Sequence, residues 1–440
     1  MKHRFFGGVC PAPNKNATQK SPTTALEFPP ERLYIPLQMG CGTPALPLVK
    51  AGDRVLVGQP IGQAQEGGVP VHSGVSGTVA GIEDHPHTWG GSAPCVVIDN
   101  DMLDEEWPHR PRPLGLGEID LDSMIARVEE CGVVGMGGMG YPTAKKLREY
   151  ANQISTLIVN AAECEPFVTA DHRLLIEHSD QILLCARVMA KCLGACRTVV
   201  VTQGDKLNAA ELLERRLRRL KDGDELITIH SRYPLGAEKP IVQTVTGQEI
   251  PNGGSPMDAS CLVLNLSTVY AIEEALFKGH ALTHREITVT GGGVERPRNL
   301  WVPIGTPLNN ILMEGGGLKD GCSQLLTGGV MRGYPAEDLS APVVHDTDCL
   351  VALSDEQRHD NAVETTCIRC GRCVFSCPMH LTPIFIARAV RENNAKALAK
   401  FHVEDCMACG CCSFACPANI PLAELVAQAN TMLTEGGVQP

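Results

Sequence analysis

The stretch Cys367-Ile368-Arg369-Cys370-Gly371-Arg372-Cys373-Val374-Phe375-Ser376-Cys377-Pro378 repeats its cysteine spacing at Cys406-Met407-Ala408-Cys409-Gly410-Cys411-Cys412-Ser413-Phe414-Ala415-Cys416-Pro417. In each run, thiols at i, i+3 and i+6 can wrap one corner of an iron–sulfur cubane, while the fourth cysteine, followed by proline, reaches the neighbouring cluster. The spacing therefore predicts two 4Fe–4S clusters with crossed ligation. Cys367, Cys370, Cys373 and Cys416 hold one, and Cys406, Cys409, Cys412 and Cys377 hold the other. A structural zinc site uses four ligands in two pairs. Eight cysteines in two matching registers, each closed by proline, read differently. Cys411 falls out of register beside Cys412 and reads as a neighbour, not a ligand.

The 440 residues exceed a single compact core and imply three or four domains. Away from the two runs, Cys10, Cys41, Cys95, Cys131, Cys185, Cys192, Cys196, Cys261, Cys322 and Cys349 follow no framework spacing; they are expected to be small buried hydrophobes in a reducing compartment. Met1 to Gly8 contains no apolar run long enough for a signal peptide. The longest apolar stretches, Thr156 to Ala162 and Cys261 to Leu266, fall short of the roughly 20 residues of a spanning helix. A net charge of −12 gives no general attraction for nucleic acid or anionic lipid, so membrane association is expected to run through protein partners. In Leu212 to Lys221 the leucines share one helical face and the arginines the other, the pattern of a solvated amphipathic helix, with docking of an acidic partner as the alternative.

From Leu48 to Val79, short strand-like pieces alternate with glycines, as in Val49 to Val55, Gly58 to Gly62 and Pro70 to Val79, which suggests a small β barrel or sandwich. Their order resembles the biotinyl and lipoyl carrier fold, but no lysine stands between Gly62 and Val79 to serve as a swinging arm. The proline-rich Trp107 to Pro113 marks a boundary. Then helical and strand patterns alternate: Leu121 to Cys131 helical, Thr156 to Asn160 strand, Leu174 to Leu193 helical, Thr198 to Thr202 strand, Asn208 to Leu220 helical, Leu226 to His230 strand. Alternation of this kind argues for an α/β domain with a largely parallel sheet. Glu286 to Gly293 opens a Gly-rich segment running to about Asp346 around a short helix, Pro307 to Glu314, which suits a small α+β domain. From Glu364 the chain is helical around the cysteine loops, with helices expected over Pro383 to Lys400 and Pro421 to Leu433.

Two segments of the α/β region carry binding chemistry. Gly135-Met136-Gly137-Gly138-Met139-Gly140-Tyr141-Pro142-Thr143-Ala144-Lys145-Lys146 follows one helix and opens another at about Thr143. Its glycines let backbone amides approach a phosphate, and a lysine one turn into the helix can pair with the anion. The strand Leu157-Ile158-Val159 runs into Asn160-Ala161-Ala162-Glu163-Cys164-Glu165-Pro166, at the carboxyl end where α/β sheets bind ligands. Asp171 and Arg173 read as a surface pair or helix start.

These two segments, with Tyr233-Pro234-Leu235-Gly236-Ala237-Glu238-Lys239 and Leu264-Asn265-Leu266-Ser267-Thr268, resemble the flavin- and NADH-binding segments of the complex I 51-kDa flavoprotein family. The domain order resembles one branch of it, the C-subunit family of the Rnf complex, an ion-translocating ferredoxin:NAD+ oxidoreductase. The fold implied is multidomain α/β and α+β. An N-terminal barrel-sandwich hybrid (1–112) precedes an FMN/NADH-binding α/β domain (113–282), a small β-grasp-like SLBB domain (283–350) and a helical domain with two 4Fe–4S clusters (357–440).

The resemblance implies FMN phosphate and ribityl contacts from Gly135, Gly137, Gly138, Gly140 and Lys146, ring and ribityl contacts from Asn160 and Glu163, and further contacts from Gly236, Glu238, Asn265 and Thr268. It places Glu165 at the NADH ribose and Tyr141 against the nicotinamide or adenine. Met136, Tyr141 and Ala162 depart from the arginine, phenylalanine and acidic residue usual in complex I-type chains. The implied activity moves electrons between NAD(H), FMN and the two clusters, since flavin joins two-electron to one-electron chemistry. Other implications are membrane and iron–sulfur partner subunits, ferredoxin reached through a partner, Na+ or H+ moved by the membrane partners, and a peripheral position on the cytoplasmic face of a bacterial membrane. No nucleic acid and no direct membrane span are expected. Two other readings are a cobalamin reductase of the propanediol-utilisation type, in which the barrel-sandwich segment follows the flavin domain, and a flavin-less electron-transfer adaptor. Some members of the Rnf family carry long C-terminal extensions; here the chain ends soon after Leu433, which leaves the cluster domain exposed.

Overall fold

The computed structural model describes residues 5–218, 224–358 and 363–435. The barrel unit has two antiparallel sheets. One is four-stranded, in the order Arg32–Pro36, Ser92–Asn100, Gly77–Pro86, Arg54–Val55; the other orders Leu46–Pro47, Pro60–Gln63 and Val71–His72. Strand alternation turns Leu33 and Ile35 inward against Val96 and Ile98, and all four are fully buried. The glycine-spaced pieces at 48–79 are thus the short strands. The long hairpin from Gly77 to Asn100 extends the barrel beyond that glycine-spaced pattern.

Residues 5–28 run outside the barrel as a strap over the other units. Val9 and Tyr233 exchange both backbone hydrogen bonds, the Gly8 amide donates to Ser376 O at 2.8 Å, and the Phe167 amide donates to Pro13 O at 2.8 Å. Thr23–Ala25 adds a parallel edge strand to Arg298–Pro303. Within the expected 1–112 unit, barrel strands therefore begin only at Arg32.

The α/β domain is a parallel sheet in the order Glu225–Ile229, Arg197–Gln203, Thr156–Ala161, Cys261–Asn265. Leu157, Ile158 and Val159 are all fully buried, because helices cover both faces and an apolar run replaces alternation. The first helix, Leu121–Glu130, is capped by Asp120, whose carboxylate accepts from the Ser123 amide. The long helix Ala170–Leu193 ends on Gly194 in the left-handed conformation. The basic helix spans Leu207–Leu217; the rest of the expected Leu212–Lys221 face, from Arg219, lies outside the described residues.

A six-stranded mixed sheet follows, in the order Thr23–Ala25, Arg298–Pro303, His284–Thr290, Cys349–Ser354, Cys322–Thr327, Tyr334–Pro335, with the helix Leu308–Glu314 packed on it. In the cysteine-run domain the continuous helix expected over Pro383 to Lys400 is broken. Pro383–Arg391 ends, Asn393 takes φ 49°, and the Asn394 side chain accepts from the Ala397 amide to start Ala395–Leu398. The break lets Leu398 fold back onto Ile386 and Val426. Among the described residues, no helix is long and apolar enough to cross a membrane. Of the scattered cysteines expected in the interior, Cys95, Cys131, Cys185, Cys261 and Cys349 are buried, Cys192 and Cys322 are half-buried, and Cys10, Cys41 and Cys196 are exposed.

Candidate flavin cleft and cluster centre

Asn160 and Asn265 are register partners at the carboxyl edge of adjacent parallel strands. The glycine loop crosses in front of them. The Met136 amide donates to Thr268 Oγ1 at 3.0 Å, and a β-carbon on Gly137 would stand 3.0 Å from Asn265 Cβ. The Gly135 amide closes the loop on Tyr141 O at 2.9 Å. Among the described residues, the amides of Gly137, Gly138 and Met139 have no protein acceptor, and Gly138 faces open space. Free amides ahead of the helix Thr143–Tyr150 fit a phosphate. Asn160 Nδ2 donates to Gly236 O at 2.7 Å, and Gly236 has no room for a side chain beside Ala162 and Cys164. The loop, Asn160, Gly236, Asn265 and Thr268 thus converge on one cleft, in which the unengaged loop amides are the donors that suit the FMN phosphate.

Other expected residues have protein partners. Lys146 Nζ pairs with Glu238 Oε1 at 2.7 Å and donates to Val263 O at 3.0 Å. One face of Tyr141 carries the Lys145 ammonium, and its hydroxyl donates to Glu149. Glu163 accepts from the Asp171 amide at 2.7 Å, at the start of the long helix, and lies 3.7 and 3.8 Å from Lys15 and Lys206. Burial pushes its carboxyl up to about 7, against the pull of the two lysines. Glu165 accepts from the Met331 amide at 2.6 Å, and burial raises its carboxyl to about 8. Asp171 and Arg173, read as a surface pair or helix start, stand at the start of the long helix, where Asp171 binds Asn265 Nδ2 at 2.8 Å and Ser267 Oγ while Arg173 pairs with Glu177. Lys15, Lys206 and Met331 had no signal in the sequence, because contacts spanning 43 to 166 residues of chain bring them here.

Cys367, Cys373, Cys412 and Cys416 pack in one hydrophobic cluster of the helical domain and Cys377 and Cys406 in another. Cys416 lies close enough to Cys373 to raise its thiol, after burial. Cys377 is pushed up to about 11 by burial, with Cys409 and Cys406 adding to the rise. Cys416 thus stands beside Cys373 and Cys367 of the first run, and Cys377 beside Cys406, Cys409 and Cys412 of the second, a crossing that suits two cubane clusters. Cys411 is fully buried; its thiol lowers Cys409 to about 7 and faces Tyr233 O at 3.9 Å. Tyr233, Cys409 and Cys411 form one packed patch with Val9, Cys164, Met331 and Met407, which joins the cleft to the second cysteine run.

Comparison with known proteins agrees with this layout. The RnfC barrel sandwich hybrid domain matches residues 3–103, the Nuo51 FMN-binding domain 128–274, the SLBB domain 287–335, and a 4Fe-4S dicluster domain 359–417. A chain of the NAD+-reducing NiFe-hydrogenase in its H2-reduced state superposes with TM-score 0.51 at 18% identity, over 73% of this chain and 63% of that one, a likeness of fold. The C subunit of the ion-translocating oxidoreductase complex of Rhodobacter capsulatus is 37% identical over 433 residues, 98% of this chain and 83% of the relative. The C subunit of the Na(+)-translocating ferredoxin:NAD(+) oxidoreductase complex of Acetobacterium woodii is 34% identical, covering 89% of each. The C subunit of the Klebsiella pneumoniae complex is 37% identical over 86% of this chain, which spans 50% of that relative's length. With these relatives across nearly its whole length and four domain models in one order, the chain belongs to the C-subunit family of ion-translocating oxidoreductase complexes.

Proposed function

We propose that this chain is the NADH-handling subunit of a membrane-bound ferredoxin:NAD+ oxidoreductase and exchanges electrons between NAD(H) and two 4Fe–4S clusters through FMN. The observation that carries the reading is the packed patch around Tyr233 that takes in both Cys164 of the cleft segment and Cys409 of the second cysteine run. When bound, FMN accepts the two electrons of a hydride and releases them singly. The free amides of Gly137, Gly138 and Met139 would take its phosphate. Asn160, Glu163, Gly236, Asn265 and Thr268 would hold its ring and ribityl chain, with Gly135, Gly140, Lys146 and Glu238 shaping the cleft; Glu165 would face the NADH ribose and Tyr141 the nicotinamide or adenine.

Cys367, Cys370, Cys373 and Cys416 would hold one cluster and Cys406, Cys409, Cys412 and Cys377 the other, the latter nearer the cleft. In the assembled complex, membrane and iron–sulfur subunits would pass electrons from ferredoxin and move Na+ or H+, with this chain peripheral on the cytoplasmic face. Anaerobic purification with a flavin and iron assay, followed by NADH addition, tests the reading. Bound flavin and bleaching of both cluster absorbances are expected; filled clusters without flavin or any response to NADH would overturn it.

A further inference from the structure

A third element stands between the cleft and the second cysteine run. It is the glycine-rich tip, residues 328–333, joining the strands Cys322–Thr327 and Tyr334–Pro335 of the mixed sheet. On one side the Met331 amide donates to Glu165 at 2.6 Å, and a β-carbon on Gly329, at φ +97°, would lie 2.3 Å from Glu165 Cγ. On the other side a β-carbon on Gly410, at φ +73°, would lie 2.8 Å from Met331 O. The Met331 side chain packs among Tyr233, Cys164, Cys409 and Cys411. A hairpin turn alone explains why Gly333 has no side chain, since a β-carbon there would strike Gly329 O and Thr327 O of the same tip. At Gly329 and Gly410 the left-handed φ already favours glycine, and groups of other domains, Glu165 and Met331 O, close the space a side chain would need.

We propose that this tip is a wedge that sets the spacing between the cleft segment and the cluster of Cys406, Cys409 and Cys412, with Glu165 and Met331 as positioning residues. The proposal rests on the electron-transfer reading above. Two electrons arrive with one hydride and leave one at a time, each reducing a cluster by one electron. The tip carries none of them and holds the two centres in register across a packed contact.

The test uses the full chain, loaded with flavin and clusters, and the variants Gly329→Ala and Met331→Ala. Rapid mixing with NADH should leave the flavin phase at its wild-type rate and slow the cluster phase about tenfold, because small misplacements are costly to a positioned reaction. The electron paramagnetic resonance signal of the dithionite-reduced Cys406-run cluster should change shape in both variants. Glu165→Gln, which keeps an acceptor for the Met331 amide, should retain the wild-type signal, and Glu165→Ala should show the altered resonance signal of Gly329→Ala. If Gly329→Ala loses iron, Met331→Ala decides alone. An unchanged cluster phase and signal in Met331→Ala would overturn the wedge. A wild-type chain without flavin would instead sink the functional reading, and the dithionite-reduced signal would still judge the wedge.

Discussion

Gly140 and His345 touch so closely that a β-carbon on the glycine would lie 1.7 Å from His345 Nε2. Gly140 has φ +64°, and His345 comes from the segment before Cys349–Ser354, so the mixed sheet closes the back of the glycine loop. The ring is 2% exposed and neither nitrogen has a hydrogen-bond partner; burial, then Arg285, pushes its pKa down to about 3.

Gly140→Ala is therefore expected to cost about 1–3 kcal/mol through overpacking and left-handed strain. Thermal unfolding should show a lowered transition, and flavin should be lost on gel filtration. Gly138→Ala meets nothing within 4 Å, so its transition should stay in place while flavin retention falls, because the new methyl enters the cradle.

In the proposed crossed ligation, Cys416 serves a different cluster from the three thiols nearest it in sequence. Cys416→Ala should damage the cluster of Cys367, Cys370 and Cys373, and Cys377→Ala that of Cys406, Cys409 and Cys412. Iron counts and resonance signals of the two variants check this. Loss confined to each variant's own run would refute it.

Lys206 is fully buried, donates to Ala162 O at 2.8 Å, and stands 3.8 Å from Glu163 and 3.3 Å from Asp205. Lys206→Met leaves Glu163 with Lys15 as its one cation, and losing one partner of a buried charge pair costs about 3–5 kcal/mol. Thermal unfolding of the variant should show the fall, and Lys206→Arg should recover part of it.

His72 is buried, which pushes its pKa from 6.5 down to about 4. Below pH 6.5 the unfolded chain takes up a proton that the folded chain refuses, so its contribution to stability is full above pH 6.5 and is lost as pH falls towards 4. The slope in that window is about 1.4 kcal/mol per pH unit. Urea midpoints compared between wild type and His72→Gln should converge on acidification from neutral pH; parallel curves would rule the effect out. Glu165 and Glu273 are raised and act in the opposite sense, and the difference between the two proteins removes them.

The parts of the site legible in the sequence are those with short-range constraints. Thiols at i, i+3 and i+6 converge by local geometry alone, and the glycine loop and the Asn160 segment follow from a strand end and a helix start. The paired states of Lys146 and Glu165 were not legible, because each depends on a partner from another element, Glu238 and Met331, whereas the break at Asn393 is local, a left-handed asparagine followed by an asparagine cap.

The two cysteine registers, the α/β alternation and the order of the domains are encoded along the chain, since local spacing and periodicity suffice to write them. Three other features exist only in the folded molecule: residues 5–28 strap the domains together, His345 closes the glycine loop, and Met331 stands between the cleft and Cys409. Those contacts join residues far apart in the chain, and side-chain packing and backbone hydrogen bonding, which no local pattern records, choose among their possible partners.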